Sequence, residues 1–273
     1  MPSAVSPGRG ASTTAPARRP SNRRWVRLWI PNQHGAWAML VLPLTVGAVR
    51  GELGWVHLWL LLAWLVAYLA YFATTVWLRS GRKERYLRPV LGYGGALALI
   101  GGGLLVAEPQ LLRWGVVFAP LLGASLAYSA RRAERALTND VLTIVATSLM
   151  AVIAYGLGSP ADGAWLPGAE HAPGWALAGA AAAYLVGTAL YVKTMIRERG
   201  NRTMFAASVA YHVGVAALFA WWLPFVGAFL AIMAVRACLV PRHWPKARPA
   251  AIGVGEIVSS VALAAILLTL PLV

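Results

Sequence analysis

Two short stretches of this 273-residue chain carry bases at the same spacing. In one, Arg79, Lys83, Arg85 and Arg88 surround Glu84; in the other, Lys193, Arg197, Arg199 and Arg202 surround Glu198. A constant offset of 114 residues superposes four basic positions and one acidic position. Guanidinium and ammonium groups bind phosphate or carboxylate oxygens directly, through charge-assisted hydrogen bonds. Arg79 and Lys83, like Lys193 and Arg197, stand four residues apart and share a face if the preceding helix continues. Glu84 with Arg88 and Glu198 with Arg202 have the acid-before-base spacing of helical ion pairs, which leaves the other bases to face an anion. Tyr128-Ser129 precedes a third basic cluster, Arg131, Arg132 and Arg135. His34 follows Asn32 and Gln33, and either bonds locally behind an Asn32 cap or shares a site with the basic stretches.

The remaining polar residues suggest less chemistry. His212 lies inside an apolar run, where an ionisable group is costly and turns toward the protein interior. It reads as a buried hydrogen-bonding group or a proton-relay residue. Thr138-Asn139-Asp140 reads as a helix cap, with Asp140 favoured at the helix N-terminus. Glu256 falls early in the last apolar run and is expected to snorkel or to pair with Lys246 or Arg248. Asp162, Glu170 and His171 fall in a Gly/Pro-rich connection expected to be solvated. The lone cysteine, Cys238, excludes an internal disulfide, and no Cys/His spacing suits a metal. No triad, P-loop or dinucleotide fingerprint is present.

The elements that must position these groups follow from composition. Hydrophobic residues make up 59% of the chain and charged residues 12%, too little polar surface for a soluble domain of this size. All the Lys and Arg residues except Arg50 and Arg113 fall on alternate connections between apolar runs, as the positive-inside rule demands. The net charge of +15 therefore reports topology, and a nucleic-acid face is not expected. Residues 1–24 read as a disordered basic cytoplasmic tail and 25–273 as a single transmembrane domain.

Nine transmembrane helices are expected, spanning Gly35 to Val49, Trp55 to Leu78, Pro89 to Ala107, Leu112 to Ser129, Asn139 to Leu157, Gly174 to Ile196, Thr203 to Trp221, Leu223 to Leu239 and Ala250 to Leu270. The seventh and eighth separate at Trp221-Trp222-Leu223-Pro224, with Pro224 in a first turn. Nine spans place the basic segments Arg9 to Arg27, Arg79 to Arg88, Arg131 to Arg135, Lys193 to Arg202 and Arg236 to Arg248 on one side, N-terminus in and C-terminus out. Trp55, Trp59, Trp114, Trp165, Trp175, Trp221 and Trp222 then read as interfacial anchors. Gly94, Ala98 and Gly102 predict a smooth packing face on the third helix, and Pro43 a kink in the first.

The stretch Pro31-Asn32-Gln33-His34-Gly35-Ala36-Trp37-Ala38-Met39 resembles the opening signature of the YwiC-like family of bacterial membrane proteins, as does Tyr191-Val192-Lys193-Thr194-Met195-Ile196-Arg197-Glu198. More distantly, the plan looks like the UbiA superfamily of intramembrane prenyltransferases. That resemblance implies an all-α bundle of two pseudo-repeated four-helix halves plus a ninth helix. It also implies aspartates after helices two and six that hold magnesium against a polyprenyl diphosphate. The matching stretches here, Arg79 to Arg88 and Lys193 to Arg202, contain no aspartate, while Tyr128-Ser129 and its following bases are similar to that superfamily's diphosphate contacts.

Together these readings give a multi-pass protein of the bacterial cytoplasmic membrane. Its basic cavity, with His34, Arg79, Lys83, Tyr128, Arg131, Lys193 and Arg197, is expected to bind an anionic lipid or polyprenyl (di)phosphate. The alternatives are a small-anion or proton-coupled transporter using His212, and an atypical UbiA-type prenyltransferase using Glu84 and Glu198. Membrane lipids are the expected partners. No cofactor is expected, with magnesium entering only under prenyl transfer.

Overall fold

The structure, a computed structural model, describes residues 29–31, 34–160, 164–269 and 271. The expected tail over 1–24, together with Asn32, Gln33 and Asp162, lies outside the described residues, and so does the side chain of His34. Nine α-helices stand among the described residues: α1 His34–Arg50, α2 Trp55–Arg79, α3 Leu87–Ala107, α4 Gly115–Ala130, α5 Leu137–Gly158, α6 Ala172–Ile196, α7 Arg202–Trp222, α8 Pro224–His243 and α9 Pro249–Thr269. Two short 3-10 turns, Glu84–Tyr86 and Pro109–Trp114, lead into α3 and α4. Eight helices, α2 through α9, are long and apolar enough to cross a membrane. α1 covers 17 residues with Pro43 inside it, about 26 Å of rise and the lower end of what spans a bilayer.

Helix ends follow local chemistry. Asn201 caps α7, its side-chain oxygen accepting from the N–H groups of Thr203 and Met204 at 3.0 and 3.2 Å. The expected break between α7 and α8 is present, with Leu223 as the joint and Pro224 opening α8. Gly227 lets the α8 backbone lie directly against Phe219 and Ala220 of α7. α5 starts at Leu137 with Ala136 as its cap, so Asn139 and Asp140 sit inside its first turn and are not caps.

The core belongs to α5 and α6. More than half of each span's most apolar window is buried, 56% and 61%, against 6% for α3 and 11% for α4. The outer faces of α3 and α4 carry Leu91, Leu99, Val106 and Val116 exposed, an arrangement that lipid, not water, satisfies. α1 packs along α5 and touches α9. Gly47 and Gly51 bring its backbone onto that of Ala151 and Tyr155, and Gly158 approaches Gly51 in the same way. No side chain fits in this seam. It is a small-xxx-small contact and it lies on α1, whereas the sequence pointed to α3. There the expected smooth face is open: Gly94 and Ala98 are exposed, and a Cβ at Gly94 or Gly102 would meet nothing within 4 Å.

Most of the expected tryptophan anchors are exposed, Trp221 most of all at 91%, but Trp114 is 3% exposed and donates to the Pro167 carbonyl at 3.0 Å. Trp59 donates to the Ile100 carbonyl at 2.9 Å and so joins α2 to α3. The 164–171 connection is docked, with Trp114, Arg113 and Trp175 all donating to its carbonyls.

Candidate functional site

The two matched basic stretches do not continue their helices. α2 ends at Arg79; Gly81 and Arg82 both adopt left-handed conformations, φ 75° and 61°, and their N–H groups close onto Leu78 and Trp77. Lys83 is thereby turned away from the Arg79 face and is exposed. α6 ends at Ile196, and Gly200 at φ 85° reverses the chain. Among the described residues no ion pair joins Glu84 to Arg88 or Glu198 to Arg202. Glu198 accepts from the Asn201 amide at 3.0 Å. Helical continuation was the premise of the Glu198–Arg202 pair, and it fails at Gly200; Glu84 and Arg88 follow the 81–82 turn, on the 3-10 turn and the start of α3.

One cavity of about 1880 Å³ nevertheless gathers much of the predicted set. It is larger than the roughly 300–1,000 Å³ of ordinary small-molecule pockets. Its body is apolar, with Leu60, Leu104, Phe118, Met150 and Ile153 among its walls. Its polar end holds Arg79 from α2, Glu134 and Arg135 from the α4–α5 connection, Asp140 from α5, and Lys193 and Arg197 from α6. Of the predicted residues, Arg79, Lys193 and Arg197 are brought together here. Lys83, Tyr128 and Arg131 are not among the lining residues. The Tyr128 hydroxyl accepts from Thr138 at 2.9 Å, and Arg131 caps the end of α4.

The bases do not face the cavity unaccompanied. Arg79 Nη1 lies 2.9 Å from Glu134 Oε1, and Lys193 Nζ lies 2.8 Å from Asp140 Oδ2 and 2.6 Å from the Arg135 carbonyl. Partial burial pushes the Glu134 carboxyl up, but its own backbone hydrogen bond and the Arg79 guanidinium outweigh this and hold it below the usual carboxylate range. Beside these pairs runs a polar chain. Ser125 Oγ donates to Asn139 Oδ1 at 2.7 Å, so its one proton is spent and Tyr71 must donate to it, also at 2.7 Å. The Asn139 amide holds the Glu134 carbonyl at 2.9 Å. Trp64 Nε1, Tyr68 Oη, Ser129 Oγ and Glu134 Oε2 are buried on this wall with no partner among the described residues.

A second polar group crosses the bundle beneath the first. Glu256 lines the cavity and accepts from Arg236 at 2.6 Å, Thr188 at 2.7 Å and Tyr184 at 3.2 Å. Arg236 also donates to Ser259 at 3.1 Å and stacks over Tyr191 at 4.4 Å. Glu256 therefore pairs with neither Lys246 nor Arg248, and Arg236 is a bundle-interior residue of α8 and not a loop base. His212 is buried, with Nδ1 2.7 Å from the Ser208 carbonyl and its ring against Gly187. Glu134, the pairing of Asp140 with Lys193 and the Arg236–Glu256 pair are what the sequence reading missed, while Arg135 belonged to its third basic cluster. The available signal was scarcity: the chain has nine acids, and each one within or beside an apolar run needs a reason to be there.

Fold and cavity define a multi-pass helical membrane protein with a large, partly open amphipathic cavity. The chain belongs to the YwiC-like family. Residues 30–155 match that family's model, described as YwiC-like protein. A protein of Bacillus subtilis (strain 168) with the name "Uncharacterized protein YwiC" is 33% identical over 238 residues, 85% of this chain and 93% of its own. An uncharacterized protein of Haemophilus influenzae is 27% identical over 217 residues, 79% of this chain and 88% of its own. No solved structure matches.

Proposed function

We propose that this protein sits in the bacterial cytoplasmic membrane, N-terminus in and C-terminus out, and holds an amphiphile with an anionic head group, either an anionic lipid or a polyprenyl phosphate. The observation that carries this reading is the union, in one cavity, of a long apolar body and an end bearing Arg79, Arg135, Lys193 and Arg197. Apolar chain and anionic head each have a wall that suits them. Support for duplicated halves of UbiA type comes from Arg79 and Lys193, which are 114 residues apart, each close a helix, and each take a carboxylate.

Native mass spectrometry of the purified protein with mixed lipids tests the reading. Wild type prefers phosphatidic acid to phosphatidylcholine of the same chains, and R135E/R197E loses that preference. An unchanged preference in the variant overturns it.

Magnesium-dependent prenyl transfer through Glu84 and Glu198 does not fit these walls. Neither glutamate lines the cavity, and Glu198 is engaged by Asn201. A second reading, a small-anion or proton-coupled transporter, draws on the Arg236–Glu256 pair, a largely shielded ionisable pair between two apolar helices with its acid on the cavity wall. Liposome flux that E256Q abolishes supports it; absence of any flux removes it.

A further inference from the structure

Arg79 and Lys193 are the equivalent bases of the sequence repeat, and both are held by acids from a single ten-residue stretch, 131–140, which joins α4 to the first turn of α5. The backbone of that stretch is tied to the same points. Lys193 donates to the Arg135 carbonyl, and the Asn139 amide, itself fixed by Ser125, donates to the Glu134 carbonyl. Glu134 and Arg135 border the cavity beside Arg79, Lys193 and Arg197. The stretch thus runs along the polar end as a strap with two ionic fastenings. Glu134 Oε2 is buried without a hydrogen-bond partner among the described residues, on a side chain that lines the same cavity.

An anion that approaches Lys193 finds its ammonium engaged by Asp140 and a carbonyl, and at Arg79 it meets Glu134. Two anions at one base repel, and the local field is strong because the surroundings are partly buried. Close contact with either base requires that a carboxylate move aside. We propose that Glu134 and Asp140 are internal competitors for the head group: the 131–140 strap closes the polar end of the cavity, and an anionic head group enters by exchanging with the two carboxylates at Arg79 and Lys193. The ligand chemistry follows that of the site above, on which this inference rests. The acids are specificity-determining because only a group that outcompetes a carboxylate gains entry.

The test uses the full-length protein in detergent and compares wild type with E134Q/D140N, with E134D/D140E as a charge-conserving control. Native mass spectrometry follows three probes: dioleoyl phosphatidic acid, dioleoyl phosphatidylcholine for the chains alone, and inorganic phosphate for the anion alone. If the strap is fastened about nine-tenths of the time, E134Q/D140N binds phosphatidic acid about tenfold tighter, with phosphatidylcholine unchanged and the control like wild type. Equal or weaker phosphatidic acid binding in E134Q/D140N overturns the exchange. Inorganic phosphate that gains as much as the lipid does assigns the end to a free anion and not a lipid head.

A ligand-free measurement separates this inference from the head-group reading. Ser129 is buried on the cavity wall, so S129C in a C238S background reports opening of that end to a water-soluble maleimide. Labelling rises severalfold in E134Q/D140N if the strap closes the cavity, and equal rates overturn it. Faster labelling without phosphatidic acid binding by either protein leaves the strap standing and removes the head-group reading.

Discussion

At the scale of single residues, the chain announces its bases and hides their partners. Arg79, Lys193 and Arg197 were legible because their spacing repeats beyond what topology requires. Glu134 and Asp140 were not. Asp140 stands in a first helical turn, where the helix dipole explains an acid equally well, and Arg79–Glu134 spans 55 positions with no local pattern to encode it. The depressed Glu134 carboxyl makes a pH prediction. A group held below its unfolded value, roughly 4.3, adds stability that is full above that value and lost as pH falls through the folded one. E134Q, which mimics the protonated form, should therefore melt below wild type at neutral pH, and the gap should close on acidification. Melting curves across pH read this directly. A gap that persists below the carboxylate range counts against the Arg79 and Arg135 surroundings as its origin.

At the scale of elements, the hydropathy pattern predicted each of the nine helices to within a few residues, including the α7–α8 break at Pro224. What it missed were decisions made by contact. The packing glycines lie on α1, not α3, because Ala151 and Tyr155 present bare backbone there. Arg236 was grouped with a loop because a base near a helix end ordinarily flanks the membrane; here α8 runs on to His243 and turns the guanidinium inward. Two predictions belong here. E256Q leaves the half-buried Arg236 without its counter-charge and should cost up to about 3–5 kcal/mol, whereas R236M/E256L should cost much less. Thermal melts of both variants check the order. G51L should prevent assembly, beyond the about 1–3 kcal/mol of ordinary overpacking, since the atoms it meets are backbone. Recovery of folded, monodisperse protein would refute that.

At the scale of the whole molecule, the alternation of charge and the apolar outer faces agree on a membrane bundle. A basic cavity was expected, but its size and its apolar walls were beyond sequence reasoning, since an internal volume depends on how far helices stand apart and no periodicity records that. Orientation is checked by single cysteines in a C238S background. Positions 82, 132 and 199 should label only from the cytoplasmic side, and 52 and 110 only from outside. Mixed labelling within either group would undo the N-in assignment and with it the cytoplasmic placement of the cavity's polar end.

The seam between α1 and α5 carries a lesson about robustness. Arg79, Glu134 and Asp140 at the cavity's polar end are part-exposed, with neighbours that rotate, exchange or rehydrate, so a change there leaves the architecture a way to recover. Gly47, Gly51 and Gly158 have backbone on the far side and no slack. A saturation-mutagenesis map of this protein should accordingly show its sharpest intolerance at positions that possess no side chain at all, with the ionic residues of the polar end considerably more forgiving of substitution for folding than for whatever they hold.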